Sequence, residues 1–113
     1  MEERKRVVIT GLGVVSAIGQ DVTTYWNNLL NGVCGIDFIS GYPPEELPVK
    51  IAAQIKEFDG EQFGMDKAFV RKQDRFTLFG VAAAWQAMND SGLHSAGEEQ
   101  NIEPFRLGVH VGS

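Results

Sequence analysis

The stretch Val7 to Gly19, VVITGLGVVSAIG, decides how the chain is read. Val7–Thr10 is short, β-branched and bounded by Gly11, which predicts a buried strand. Gly11 and Gly13 then open a turn of the kind that starts a dinucleotide-binding βα unit. That fingerprint is G-x-G-x-x-G, and its third glycine lets helix and strand pack closely. Here the third position is Ser16. The helix should also begin at the turn, with its N-terminus on the pyrophosphate. Instead VVSAIGQD intervenes before the first good cap, Asp21. The variant T-G-x-x-x-G-x-G fails as well, because Val15 and Ala17 stand where glycines belong. What remains is a strand-to-loop turn that uses Gly11 and Gly13 for backbone freedom.

Working outward, Asp21 is an N-cap for a helix over Val22–Asn31. Val22, Tyr25, Trp26, Leu29 and Leu30 keep helical spacing and make one apolar face. Gly32 ends the helix at C′. SGYPPEELP is a loop, marked by Gly41 and three prolines. VKIAAQI alternates Val49, Ile51, Ala53 and Ile55 and reads as a half-buried strand. Asp66 caps a basic helical turn, KAFVRKQ. The longest helix runs over 74–91, and Gly92 stops it. Its middle, LFGVAAAW, is apolar nearly all round, which predicts burial on most sides; Gly80 and the alanines allow a neighbour to approach closely. HSAGEEQNIEP is a polar connection, and Leu107–Val111 reads as a second buried strand. The expected fold is α/β, with a mixed, partly parallel sheet and packed helices. In it Val7–Thr10 and Leu107–Val111 lie side by side, near-parallel, under the 74–91 helix. Residues 1–113 show no internal domain boundary. Ser113 falls at the end of a buried strand, which suggests a truncated chain, a fragment of a larger domain.

The bulk properties narrow the function classes. The chain has 113 residues, 43% apolar and 22% charged, as a single globular unit does. A net charge of −5 argues against a nucleic-acid partner, which needs a basic surface. No apolar run approaches a membrane span, and MEERKR leads into too short an apolar stretch for a signal peptide. One cysteine makes no internal disulfide, so a reducing, cytoplasmic setting is expected.

Few residues here carry chemistry. Cys34, in NGVCGID, has no histidine or basic neighbour in sequence to lower its pKa, and reads as a small loop residue. His94 lies in the polar connection and reads as solvated; His110 lies within a predicted strand and reads as a packed residue. No His, Cys or carboxylate set has metal-ligand spacing, and no cofactor is indicated. Asp66 and Asp74 read as caps. Lys67, Arg71 and Arg75 fall at i, i+4 and i+8, a single stripe if the helical turn is continuous, with Lys72 beside it. Like charges so spaced repel, so the stripe is either a solvated face or a docking face for an acidic partner.

RVVITGLGVVSAIGQDVTTYWNNLLNGVCGI, IAAQIKEFD, RKQDRFTLFGVAAAWQAMNDSGL and RLGVHVGS, taken in order, resemble the N-terminus of β-ketoacyl-(acyl carrier protein) synthases. These are the condensing enzymes of fatty-acid synthesis, and the likeness is to the synthase II group. The resemblance implies a thiolase-like fold, two similar α/β halves in an αβαβα sandwich, with this chain opening the first half. It implies a homodimer that takes acyl and malonyl forms of acyl carrier protein and performs a decarboxylative Claisen condensation. The family's nucleophilic cysteine and two histidines come later in its chain than Ser113, so no catalytic residue is assigned here and residues 1–113 alone are expected to be inactive. The resemblance places a carrier-protein docking patch on the Lys67, Arg71, Lys72 and Arg75 stretch. Arg71 and Lys72 match it directly; Ala68 stands at a third basic position, with Lys67 one residue earlier. Ser113 stands where the family's chain enters a glycine-rich loop of the acyl pocket, as a border residue or a plain strand end. The alternative is a non-catalytic protein that binds the carrier.

Overall fold

Local signals shape the helices much as the sequence predicts. In the computed structural model, which describes residues 2–113, α1 spans Val22–Leu30. The Asp21 carboxylate accepts from the Thr24 amide at 2.8 Å and from the Thr24 hydroxyl at 2.8 Å. These bonds favour the ionised carboxyl and hold its pKa below the usual value. Asn31 caps the other end, and Gly32 follows in the left-handed region at φ 68°. α2, Lys67–Lys72, begins at Asp66, whose Oδ1 accepts from the Phe69 amide at 2.7 Å. α3, Arg75–Ser91, ends at Gly92 with φ 69°. Asp74 holds its N-cap position without a side-chain capping bond.

The strands depart from expectation. β1, Ile36–Phe38, pairs antiparallel with β2, Ile51–Ala53, in a register that sets Asp37 opposite Ala52. This two-stranded ribbon is the whole sheet among the described residues. β2 is a shorter piece of the predicted Val49–Ile55 strand. Val7–Thr10 and Leu107–Val111 form no ladder at all. Val7 is 94% exposed and Val111 80% exposed, and His110 lies open rather than packed. The expected parallel pair is therefore not present. A strand exists through its hydrogen-bonded neighbour, and neither segment has one among the described residues.

The core is small. Phe63, Met65, Leu78 and Ala82 are buried, with Val15, Phe58, Phe69, Val70 and Val81 packed around them. Phe58 stacks on Phe63 at 5.5 Å and meets Phe79 edge-on at 5.0 Å. One face of α3 thus packs on the 58–70 segment, which includes a 3₁₀ turn at Gly60–Phe63. Burial of α3 on most sides is not observed: Phe76 is 72% exposed, and nothing lies within 4 Å of where a Cβ on Gly80 would stand. The apolar face of α1 has no buried residue either. The accessible surface is 9617 Å², against about 6,100 Å² for a compact monomer of this mass. The radius of gyration is 18.0 Å, against roughly 13 Å for a compact chain of this length. The described residues leave much apolar surface uncovered.

The opening glycines explain themselves in this fold. Neither Gly11 nor Gly13 has positive φ, so backbone freedom is not their role. Both lie against α3. A Cβ on Gly11 would run into the Ala87 carbonyl oxygen and come within 2.8 Å of the Ser91 Cβ. One on Gly13 would strike the Ala83 carbonyl oxygen and come within 2.8 Å of the Gln86 Cβ. Ala83 and Ala87, one turn apart, leave room for this approach, as the alanine-rich pattern suggests. Helix side chains then bond the segment's backbone. Asp90 Oδ2 accepts from the Leu12 amide at 3.0 Å, and Gln86 Oε1 from the Val14 amide at 3.3 Å. Gln86 Nε2 donates to the carbonyls of Val14 at 3.1 Å and Gln20 at 2.8 Å.

Candidate functional site

The basic stretch is built on α2 and the break that follows it. Val70 packs on the core beside Gly60, where a Cβ would come within 2.8 Å of Val70 Cγ2. With Phe69 and Val70 turned to the core, Lys67, Arg71 and Lys72 are left exposed. Lys67 and Arg71, one turn apart, line a shallow hollow of about 250 Å³ with Val70, Asp59 and Glu61. Asp59 Oδ1 is engaged as an N-cap, accepting from the Glu61 amide at 3.0 Å. Among the described residues, neither Lys67 nor Arg71 closes an ion pair within 4 Å, and Asp74 does not pair with Arg71.

The helix does not run on from Arg71 to Arg75. Gln73, at φ −103° and ψ 150°, is extended and ends α2. The predicted i, i+4, i+8 stripe is therefore divided. Arg75 Nη2 donates to the Ile55 carbonyl at 2.8 Å, and its guanidinium lies 5.2 Å from the centroid of the Phe79 ring. Arg75 thus faces Ile55, two residues past β2, and is not among the residues that line the Lys67–Arg71 hollow. Asp74 starts a second helix as the sequence predicts, so the condition on which the single stripe rested, a continuous helical turn, is not met.

Cys34 lies open beside α1, its Sγ 3.9 Å from the Ile36 carbonyl oxygen. It borders a cleft of about 500 Å³ shared with Ser16, Asn28 and Lys56. No histidine lines that cleft. Across the cleft, Lys56 Nζ pairs with Asp37 Oδ2 at 3.4 Å. The Phe38 amide and Lys56 hold the Asp37 carboxyl below its usual pKa. His94 is exposed, as predicted, with Nε2 3.9 Å from Glu99 Oε2. The loop that carries it is tied by Asn101, which accepts from the His94 amide at 2.7 Å and donates to the Gly92 carbonyl at 2.8 Å. Ser113 is exposed at the end of the Leu107–Ser113 segment, which forms no strand or helix. No three His, Cys, Asp or Glu side chains gather to hold a metal ion among the described residues. Among the described residues no helix is long and apolar enough to cross a membrane.

The sequence reading missed one set of residues. Gln86 and Asp90, at i and i+4 in the C-terminal half of α3, hold the 11–20 segment through bonds to Leu12, Val14 and Gln20. Gln20 Nε2 passes that order on to the Lys56 carbonyl at 2.8 Å. Gln86 and Asp90, each three residues past an alanine, Ala83 and Ala87, are the available signal.

Comparison with known proteins adds the following. The family described as "Beta-ketoacyl synthase, N-terminal domain" matches residues 4–113. The chain is 42% identical over 113 residues, its full length, to the 3-oxoacyl-[acyl-carrier-protein] synthase 2 of Staphylococcus aureus strain N315. It is 40% identical over 111 residues, 98% of the chain, to the synthase of that name from Coxiella burnetii. It is 40% identical over 110 residues, 97% of the chain, to the one from Vibrio cholerae. The chain spans about a quarter of the length of these relatives, 25% to 26%.

Proposed function

Because the chain belongs to the β-ketoacyl synthase N-terminal domain family, we propose that it is a working part of a 3-oxoacyl-(acyl carrier protein) synthase of the synthase 2 kind. In that reaction an acyl group passes from the carrier's thioester to a cysteine thiol of the enzyme, releasing the carrier thiol. Malonyl-carrier loses CO2, and the resulting carbanion attacks the acyl carbonyl. A carbon–carbon bond forms and the cysteine thiolate leaves. Cys34, His94 and His110 take no part in this reading; the nucleophile and the two histidines belong to a longer protein. That protein would have a thiolase-like fold and act as a cytoplasmic homodimer, with residues 1–113 opening its first half and Ser113 at the border of the acyl pocket. The observation that carries the proposal is the match itself, 42% identity along the full chain to a 3-oxoacyl-[acyl-carrier-protein] synthase 2. The large uncovered apolar surface agrees with it.

The chain's own contribution in this reading is docking. Lys67, Arg71 and Lys72 give an acidic chain an exposed basic face, and an acidic carrier protein complements such a face. The test is Arg71→Glu with Lys72→Glu in the complete protein. Each exposed contact is worth about 0.2–1 kcal/mol, and reversal of a charge costs more than its deletion. Carrier binding should weaken, and the loss should shrink as salt rises. Reaction with a small acyl thioester lacking the carrier should be spared. Unchanged carrier binding at low salt, or equal failure with both substrates, refutes the docking role. A complete protein that binds the carrier but makes no 3-oxoacyl product would replace the enzyme reading with that of a non-catalytic carrier-binding module.

A further inference from the structure

The short segment after β2 is held from three sides, by α3, by the loop before α1 and by β1. Arg75, at the first turn of α3, donates to the Ile55 carbonyl at 2.8 Å. Gln20 donates to the Lys56 carbonyl at 2.8 Å. Lys56 itself pairs with Asp37 of β1. The next residue, Glu57, is held at φ 53°, the one non-glycine with positive φ among the described residues. Such a backbone persists only where its surroundings over-determine it. Phe58 follows and meets Phe79, the ring beside the Arg75 guanidinium. Arg75 therefore ties the end of the β-ribbon to the start of α3, two residues past the Gln73 break that ends α2.

From this geometry we infer that Arg75 is a positioning residue, not a docking contact: its bond to Ile55 and its place beside Phe79 fix the angle at which α2 leaves α3, and so where the Lys67, Arg71 and Lys72 face is held. The inference rests on the docking reading above for its functional consequence. α2 has only six residues and rests on the Gly60–Phe63 turn through Phe69 and Val70, so its direction follows from how the 55–63 segment that carries this turn is tied to the start of α3. A guanidinium suits this task because it is a planar fork that donates in its plane while stacking on a ring. A lysine ammonium carries the same charge and cannot do both.

That difference separates positioning from contact, because Arg75→Lys preserves the charge. In the complete protein, Arg75→Lys is expected to raise KM for a carrier-linked acyl substrate by about three- to tenfold with kcat little changed. The increase should be nearly the same at about 50 and 300 mM salt, whereas that of Arg71→Glu with Lys72→Glu should fall across the same range. Hydrogen exchange of peptides covering residues 67–74 should quicken in Arg75→Lys and stay unchanged in the double reversal. Phe79→Leu keeps the arginine but removes the ring, and should give a smaller change of the same kind; it carries the test if Arg75→Lys does not fold. Wild-type KM and exchange in Arg75→Lys, together with a salt-dependent KM increase in Arg75→Glu, would overturn the inference and make Arg75 a docking contact. Unchanged exchange over 67–74 in both Arg75→Lys and Phe79→Leu would also overturn it. An unchanged KM in the double reversal refutes the docking reading instead, and exchange then still decides what Arg75 does.

Discussion

Substituting Gly13 by alanine isolates the contact on which the N-terminal half depends. Gly13 has no positive φ, so the backbone itself would accept alanine. On that ground alone the change should stabilise by about 0.4–1 kcal/mol, through a less flexible unfolded chain. The helix opposes it. The new Cβ would strike the Ala83 carbonyl oxygen, lie within 2.8 Å of the Gln86 Cβ and within 2.9 Å of the Ala83 carbonyl carbon. Two of those atoms are helix backbone, so the segment must move away. Overpacking of this kind costs about 1–3 kcal/mol. Moving away also stretches the Gln86 bonds to Val14 and Gln20, each worth about 0.5–1.5 kcal/mol. Taken together, the loss is about 2–5 kcal/mol. The assay is thermal or denaturant unfolding of the complete protein, with Gly80→Ala as the internal control. Gly80 is a mid-helix glycine facing open space, so alanine there should gain about 0.5–1 kcal/mol unless another part of the complete protein packs against it. If Gly13→Ala leaves stability unchanged or raises it, the segment does not lie on α3 as described, and the reasoning from close approach fails.

Other outcomes are expected elsewhere. Asp21→Ala should destabilise by about 0.5–2 kcal/mol near neutral pH, seen as a lower unfolding midpoint. The Asp21 carboxyl is held below its ordinary pKa in the fold, so protons bind the unfolded chain more readily. Its contribution is complete above the unfolded pKa and lost as pH falls through the folded one. The gap between wild type and Asp21→Ala should therefore close in acid, and a gap that widens there would contradict the capping role. Cys34→Ser should leave condensation by the complete protein intact. Acyl transfer to Cys34 seen by mass spectrometry, and lost in the serine variant, would reverse the assignment. Gln86→Leu should loosen residues 11–20, raising their amide exchange while α1 keeps its protection.

The features written into the sequence are those whose partners lie within a few residues. Asp21 bonds Thr24, Asp66 bonds Phe69, and Gly32 and Gly92 turn the chain left-handed at helix ends. Each is closed inside one turn of backbone, so residue type and spacing determine it. The family is legible for a related reason, because collinear residues along the whole chain carry it. Tertiary structure decided what depends on distant partners. Gly11 and Gly13 looked like a flexible turn, and only the proximity of Ala83 and Ala87 shows that their missing side chains make room for a helix. Arg75 looked like part of a basic stripe, and only the Ile55 carbonyl and the Phe79 ring draw it away. Val7–Thr10 and Leu107–Val111 have the composition of buried strands but stay unpaired and largely exposed, because a strand needs a neighbour's backbone to bond to and residue type alone does not supply one.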